Sequence, residues 1–373
     1  MTTSASRQAL LQLDWGLLVA PVLLAAVGVL LVFSASFPQG TAAGITASPA
    51  FRHGLNALAG VFIMLVMARL DYRLLRTFTP HIYLGVILLL VVVDVAGASV
   101  GGVKRWIEVG PIQVQPSEMA KFSTLLALAR LFSDFKEHNA RLPMLVASLL
   151  VVLPPTALVF LQPDLGTAVV FGAIWFGMAV MAGVRPLYLI GLVLAGAAML
   201  PLAFLLVLKG YQQERFHTFL DPSSDPLGAG YNVLQSEISV GSGGFWGKGL
   251  LNGTQSQLHF LRVQQTDFIF SVLGEELGFI GAMAIFGLFI LLLWRGLEAA
   301  LQAQDNFGRL VASGIVMLVL TQVFINIGVN VRLLPVTGIP LPFLSFGGSS
   351  LLTMFFAIGV LQSIYRHRRK ADW

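Results

Sequence analysis

No cysteine occurs among the 373 residues, which excludes disulfides, thiol nucleophiles, iron–sulfur clusters and Cys-ligated zinc. Charge is also scarce, at 11% Asp, Glu, Lys and Arg against roughly 25% in a soluble globular domain. So few charges cannot clothe the outside of a water-soluble enzyme, a nucleic-acid-binding domain or a disordered chain. The six histidines show neither an HExxH pattern nor clustered ligand spacing, so no structural zinc site is expected. The segment Ser242 to Lys248 imitates a phosphate loop. It has Ser242 where the first glycine belongs, Gly249 where Ser or Thr belongs, and no strand before it. Nor does the chain repeat itself at a solenoid period of about 20 to 50 residues.

What the chain does have is apolar: 56% hydrophobic residues and a mean hydropathy of +0.82. A bilayer core is crossed by about 20 apolar residues in a helix. Stretches of that kind run near Trp15 to Phe37, His53 to Ala68, Pro80 to Ala98, Ser117 to Phe132, Pro143 to Leu161, Gly166 to Ala182, Pro186 to Leu208, Phe268 to Trp294, Leu310 to Val331 and Leu341 to Tyr365. The expected fold is therefore an all-α polytopic membrane protein of about ten transmembrane helices. It is one membrane domain over residues 1–373, and the first span is an uncleaved anchor. With the N-terminus inside, most Lys and Arg fall on cytoplasmic segments, as the positive-inside rule requires, and the net charge of +5 needs no nucleic-acid partner. Both termini are then cytoplasmic. A large loop, residues 209–266, faces outward between the seventh and eighth spans. It is rich in Gly, Trp and Phe and far longer than an ordinary connection, which marks it as functional.

Ionisable residues at membrane depth are costly, so each marks a candidate site. Glu118 and Lys121 stand three apart on one helical face, where they form an ion pair that fastens a helix end, serves a site, or does both. Residues Gly101 to Gly110 alternate in character between glycines and read as a small interfacial hairpin. They carry Lys104 and Arg105, which anchor at headgroups or bind an anion. Asp164 is placed to cap the sixth span. In the ninth span Gln322, Asn326 and Asn330 make a polar stripe whose expected role is packing glue between helices. The prolines 335, 340 and 342 and the small residues of Ser345 to Ser350 break the chain beside a cavity. The strongest candidate is Asp267, in Gln264-Gln265-Thr266-Asp267-Phe268-Ile269-Phe270, where the outer loop enters the eighth span. There a carboxylate is wet enough to ionise yet adjoins Phe268 and Phe270, whose apolar surroundings raise its pKa towards that of a useful base. The competing role is that of a helix N-terminal Asp stabilised by the macrodipole. Glu275 falls about 80° from Asp267 around a continuous helix and Glu276 on the opposite face, so they form no carboxylate dyad with it.

Several blocks, taken in order, resemble one family. They are Val103 to Trp106, Gln115 to Glu118 with Lys121, Gln162 to Thr167, Asp225 to Tyr231, Gly241 to Gly244, Gly253 to Leu258, Thr266 to Phe270 and Leu341 to Ser349. Their combination is similar to the SEDS proteins of bacterial shape, elongation, division and sporulation, and the GTQSQ run at Gly253 to Gln257 resembles the RodA-type branch. One departure is Leu261 to Gln265, where many members read Leu-Pro-Glu. The resemblance implies a peptidoglycan glycosyltransferase of the bacterial cytoplasmic membrane that polymerises lipid II into β-1,4 glycan on its outer face during elongation. It would act with a class B penicillin-binding transpeptidase and other elongation-complex proteins. An α-linked donor becoming a β-1,4 bond inverts the anomeric carbon, so one carboxylate suffices as base. That role falls to Asp267. Lys104, Arg105, Lys121, Arg215, Lys248 and Arg262 are the outer-side cations for the leaving pyrophosphate, with Arg105, Lys121 and Arg215 preferred. Glu118 orients Lys121, and Asp164 shapes or charges the cavity. No firm cofactor is implied; a divalent cation, Mg²⁺ or Mn²⁺, suits the chemistry, without a legible ligand cage. The alternative function is transport of a lipid-linked cell-wall precursor.

Overall fold

In the computed structural model, the described residues are 13–37, 48–100, 103–109, 112–206, 210–222, 225, 228–258, 260–261 and 263–368. Each of the ten apolar stretches forms a helix. They are α1 (Trp15–Ser36), α2 (Pro49–Arg69), α3 (Arg73–Ala96), α4 (Pro116–Asp134), α5 (Leu142–Leu161), α6 (Leu165–Ala182) and α7 (Pro186–Leu206). After segment 209–266, which adds α8 (Gly210–Leu220), α9 (Ala229–Ser242) and α10 (Thr254–Gln257), come α11 (Ile269–Gln302), α12 (Asn306–Asn330) and α13 (Gly348–Arg366). Eight of these helices are long and apolar enough to cross a bilayer. The two others at expected spans are α4, with Glu118 in its first turn and Lys121 in its second, and α7, apolar over Pro186–Met199.

Of the expected hairpin at Gly101 to Gly110, the described residues 103–109 form the central strand of a slightly larger element. Strands β1 (Ala98–Val100), β2 (Val103–Val109) and β3 (Ile112–Val114) make one antiparallel sheet in that order. Ala98 pairs with Trp106 and Ile107 with Val114, so the central strand carries Lys104 and Arg105. Segment 209–266, expected as a loop, holds three helices of its own.

Polar contacts sort the bundle into two ends. At one, Arg295 reaches Asp14 at 3.5 Å, Arg76 reaches Asp134 at 2.6 Å, Arg73 reaches Asp305 at 3.6 Å, and Ser363 Oγ donates to Leu70 O. This end gathers the start of α1 and the finish of α13. At the opposite end the last turn of α1 meets segment 209–266, where Gln257 Nε2 donates to Ser34 O at 3.1 Å and Gln264 Nε2 donates to Ala35 O. Asp267, three residues after Gln264, thus lies at the end opposite the start of α1 and the finish of α13. Between the two ends the buried faces of α4, α6, α11, α12 and α13 supply a continuous core, with Leu125, Phe171, Phe289, Leu318 and Phe355 almost fully enclosed. Helix α7 stands apart. Leu189 in its first turn is buried, but Ile190 to Met199 is exposed on every side.

Helix α11 is broken at Gly278, whose backbone (φ 64°, ψ −162°) is left-handed. A break inside a membrane helix survives only where other groups satisfy the freed backbone. Here the glycine-rich run 243–249 wedges in. Lys248 N–H donates to Glu275 O at 3.0 Å and Gly249 N–H to Glu276 O at 2.9 Å. On the other side, Phe279 N–H donates to Gly244 O at 2.9 Å and Ile280 N–H to Phe245 O at 3.2 Å. A β-carbon at position 278 would overlap the Gly247 nitrogen, so glycine is required for the close approach as well as for the dihedral angle. Beyond the break, Phe279 to Leu297 spans about 28 Å at 1.5 Å per residue, the thickness of a bilayer core. The part before it, Ile269 to Leu277, is a separate half-helix.

Candidate active site

Asp267 sits two residues before that half-helix, and its segment is held from behind by three successive carbonyls. Gln265 O accepts from Phe346 N–H at 2.8 Å, Thr266 O from Ser345 Oγ at 2.6 Å, and Asp267 O from Asn330 Nδ2 at 2.9 Å and Asn326 Nδ2 at 3.1 Å. The stripe expected as packing glue is therefore, at Asn326 and Asn330, a clamp on the peptide of the candidate base. Asn330 is the hub. Its Oδ1 accepts from Ser271 N–H at 3.1 Å and Ser271 Oγ at 2.6 Å, and Ser271 Oγ lies 2.6 Å from Ser236 Oγ of α9. The break expected at the prolines and small residues of 335–350 supplies Ser345 and Phe346 to the same clamp. Asn330→Ala leaves the Asp267 carbonyl and Ser271 short of partners, a loss of about 1–3 kcal/mol. Thermal melting should show that loss, together with a fall in turnover of about tenfold.

The Asp267 carboxylate is half-buried. Gly338 lies against it: a β-carbon there would stand 3.7 Å from Oδ2, and the glycine's φ of +77° is again left-handed. Burial pushes the Asp267 pKa above the usual carboxylate value. The Thr266 hydroxyl and the charges of Arg215 and Arg105 pull it back, while Asp164 pushes it further up. Four of the residues singled out in the sequence, Asp267, Arg215, Arg105 and Asp164, thus share one electrostatic neighbourhood. Arg215, from α8, donates Nη1–H to Val336 O at 3.2 Å, two residues from Gly338. Arg105, from β2, donates Nε–H to Gln162 O at 2.8 Å and an Nη2–H to Pro163 O, and its Nη1 stands 3.7 Å from Asp164 Oδ2. Asp164 also caps α6, accepting from Thr167 N–H at 3.0 Å. Burial and raised pKa at the mouth of an apolar bundle, with two fixed guanidinium groups close by, suit a proton acceptor beside an anionic leaving group.

Lys121 Nζ binds Glu118 Oε1 at 2.8 Å with both side chains almost fully buried, so the expected i,i+3 pair forms inside the bundle. Lys248 Nζ is engaged by Glu275 Oε1 at 2.8 Å and Thr254 Oγ1 at 2.9 Å. Lys104 is exposed, with Nζ 3.4 Å from Val95 O. Arg262 is outside the described residues. Among the described residues no group of three or more His, Cys, Asp or Glu is placed to hold a metal ion. Sequence reasoning missed Glu275 and Glu276. Glu275 is fully buried and accepts from Lys248, Gln255 N–H and Ser256 N–H. Glu276 Oε1 accepts from Ser34 Oγ of α1 at 2.5 Å, and its Oε2 has no hydrogen-bond partner among the described residues.

Comparison with known proteins finds likeness in sequence and fold over nearly the whole chain. The sequence model of the FtsW/RodA/SpoVE family, described as cell cycle protein, matches residues 15–370. The peptidoglycan glycosyltransferase MrdB of Escherichia coli is 42% identical over 318 residues, 83% of this chain and 84% of MrdB. A chain from a solved peptidoglycan synthase complex, in which polymerization and crosslinking are structurally coordinated, superposes with a TM-score of 0.80 at 32% identity, covering 95% of this chain and 98% of that one. The rod shape determining protein RodA of Thermus thermophilus superposes with a TM-score of 0.70 at 28% identity, over 96% and 98% of the two chains.

Proposed function

The chain belongs to the FtsW/RodA/SpoVE family of cell cycle proteins, and from that premise we propose that it is a peptidoglycan glycosyltransferase that polymerises lipid II, with Asp267 as its base. The observation that carries the assignment is the half-buried Asp267 carboxylate, pushed up in pKa and flanked by the charges of Arg105 and Arg215 at the end of the bundle opposite the first and last helix ends. The 4-hydroxyl of an acceptor GlcNAc attacks the anomeric carbon of a MurNAc carried on undecaprenyl pyrophosphate. Asp267 takes the hydroxyl proton as the new β-1,4 bond forms, and the pyrophosphate departs with the electron pair of the broken α bond. Inversion requires no covalent intermediate. Arg215 and Arg105 offset the charge growing on the leaving pyrophosphate, and Asp164 holds Arg105 in place. A divalent cation, if used, would be held largely by pyrophosphate oxygens, as Mg²⁺ usually is, with Asp164 and Asp267 as the nearby carboxylates.

Sidedness follows from charge. Arg73, Arg76, Arg130 and Arg295 cluster at the end that holds both membrane-helix termini, which makes it cytoplasmic by the positive-inside rule. The site then faces outward from the bacterial cytoplasmic membrane. Helix α7, unpartnered along Ile190 to Met199, leaves the bundle a flank through which a lipid-borne substrate enters from the bilayer. A class B penicillin-binding transpeptidase is the proposed partner, given the likeness to a chain of a synthase complex. The test supplies purified lipid II to the reconstituted chain with its transpeptidase. Glycan chains and released undecaprenyl pyrophosphate are expected. Movement of labelled lipid II across the vesicle membrane with no glycan formed would make the protein a transporter instead.

A further inference from the structure

Lys248 and Glu275 meet across the stretch of chain that carries Asp267, and the Glu275 carboxylate closes this ring. Glu275 is fully buried. Its Oε1 takes Lys248 Nζ at 2.8 Å, Gln255 N–H at 2.9 Å and Thr254 Oγ1 at 3.2 Å, and its Oε2 takes Ser256 N–H at 3.0 Å. The backbone joins at the same place, with Lys248 N–H on Glu275 O. Gly253 makes room: a β-carbon there would come within 2.7 Å of Glu275 Oε2. Burying a carboxylate is costly unless its oxygens are satisfied, and here side-chain and backbone donors meet Oε1 and a backbone N–H meets Oε2.

The covalent path from Glu275 to Asp267 is short and stiff. It is the half-helix Ile269–Leu277, about two turns long, cut off from the rest of α11 by the break at Gly278. Asn330 holds the near end of this half-helix through Ser271. Its far end is held by Glu275 and by the backbone bonds across the break. Residues 254–256 are gathered by Glu275, and Gln257 and Gln264 after them bond to α1.

We propose that Glu275 is a positioning residue for glycosyl transfer: its carboxylate ties the Lys248–Ser256 segment to the half-helix and so sets where Asp267 stands. The role needs a carboxylate specifically. A glutamine offers one accepting oxygen and turns an NH₂ group towards donors that are already N–H or ammonium groups. It does not need substrate contact, so substrate affinity should survive its loss. The inference rests on the polymerase reading, and its test has one arm that does not.

The full chain, reconstituted with its transpeptidase and lipid II, is assayed as wild type, Glu275→Gln, Glu275→Asp and Lys248→Met. Glu275→Gln should lower kcat by about 10- to 100-fold with KM for lipid II within about threefold. Glu275→Asp should recover most of that loss, and Lys248→Met should lose less than Glu275→Gln because the two backbone donors remain. In parallel, cysteines placed at the exposed positions Leu258 and Leu333 carry spin labels, which the cysteine-free chain accepts without background. The distance distribution between them should broaden in Glu275→Gln. Wild-type kcat in a folded Glu275→Gln, a raised KM with unchanged kcat, or a lowered kcat with an unchanged distance distribution would each overturn the positioning role. If Glu275→Gln does not fold, Glu275→Asp and Lys248→Met decide it by the same readouts. A wild type that makes no glycan refutes the polymerase reading, while the spin-label arm still reports on the ring.

Discussion

Asp267→Ala lowers glycan polymerisation by about 10²- to 10⁴-fold, the usual worth of a positioned general base, and leaves the chain folded and able to bind its partner. The reason lies in how the segment is held. Every bond that fixes residues 265–267 from behind runs to a backbone carbonyl: Phe346 to Gln265, Ser345 to Thr266, Asn326 and Asn330 to Asp267. Removing the side chain leaves all of these in place. The half-buried carboxylate contributes no packing core, and its desolvation is a cost to the folded state that alanine removes. Activity and stability should therefore part company at this position. Polymerisation from lipid II, measured beside a thermal melt and partner pull-down, tests both. A variant that melts early, or one that polymerises normally, contradicts the account.

Lys121→Met destabilises the chain by about 3–5 kcal/mol, because it strands the Glu118 carboxylate in the bundle core. The two side chains are almost fully buried and bonded at 2.8 Å, and Glu118 Oε2 already lacks a hydrogen-bond partner among the described residues. The double variant Glu118→Gln, Lys121→Met removes both charges and should recover most of the loss, since a buried pair replaced as a unit is often close to neutral. Unfolding midpoints of the two single variants and the double variant give the coupling. If the double variant is as unstable as the sum of the singles, the pair is not a closed ionic unit. Residual polymerisation by a stable double variant would place the pair in the scaffold; its loss would make Lys121 part of the anion site.

The helices were legible because apolar runs of bilayer length admit one structure. Asp267 was legible for the same reason: a carboxylate at the edge of such a run is conspicuous, and so was Asp164 at a helix start. Spacing alone also placed Glu118 and Lys121 on one face. Long-range contacts were not legible. The arithmetic of 100° per residue only separated Glu275 and Glu276 from Asp267 as a carboxylate dyad; it relates residues along one helix, whereas the partners of these two carboxylates, Lys248, Gln255, Ser256 and Ser34, lie outside it. The run Ser242 to Lys248 was recognisable as a failed phosphate loop, but nothing local says that it enters the break at Gly278. Lys248, counted among the pyrophosphate cations, spends its ammonium group on Glu275 and Thr254. Asn326 and Asn330 were visible as a stripe four residues apart. Their partner, the peptide of Asp267, lies 59 and 63 residues away in sequence and came only with the fold.

The central claim is that Asp267, ionised in a partly desolvated position, takes a proton during transfer. Its most direct test is the single-turnover rate of glycan formation as a function of pH. Burial raises the folded pKa above the ordinary value of about 4, so the base is protonated and idle at acid pH and the rate climbs as pH rises through the raised value. The account predicts an acid limb clearly above pH 4 that is absent from the residual rate of Asp267→Asn. A limb at or below pH 4, or one that persists unchanged in that variant, would contradict it.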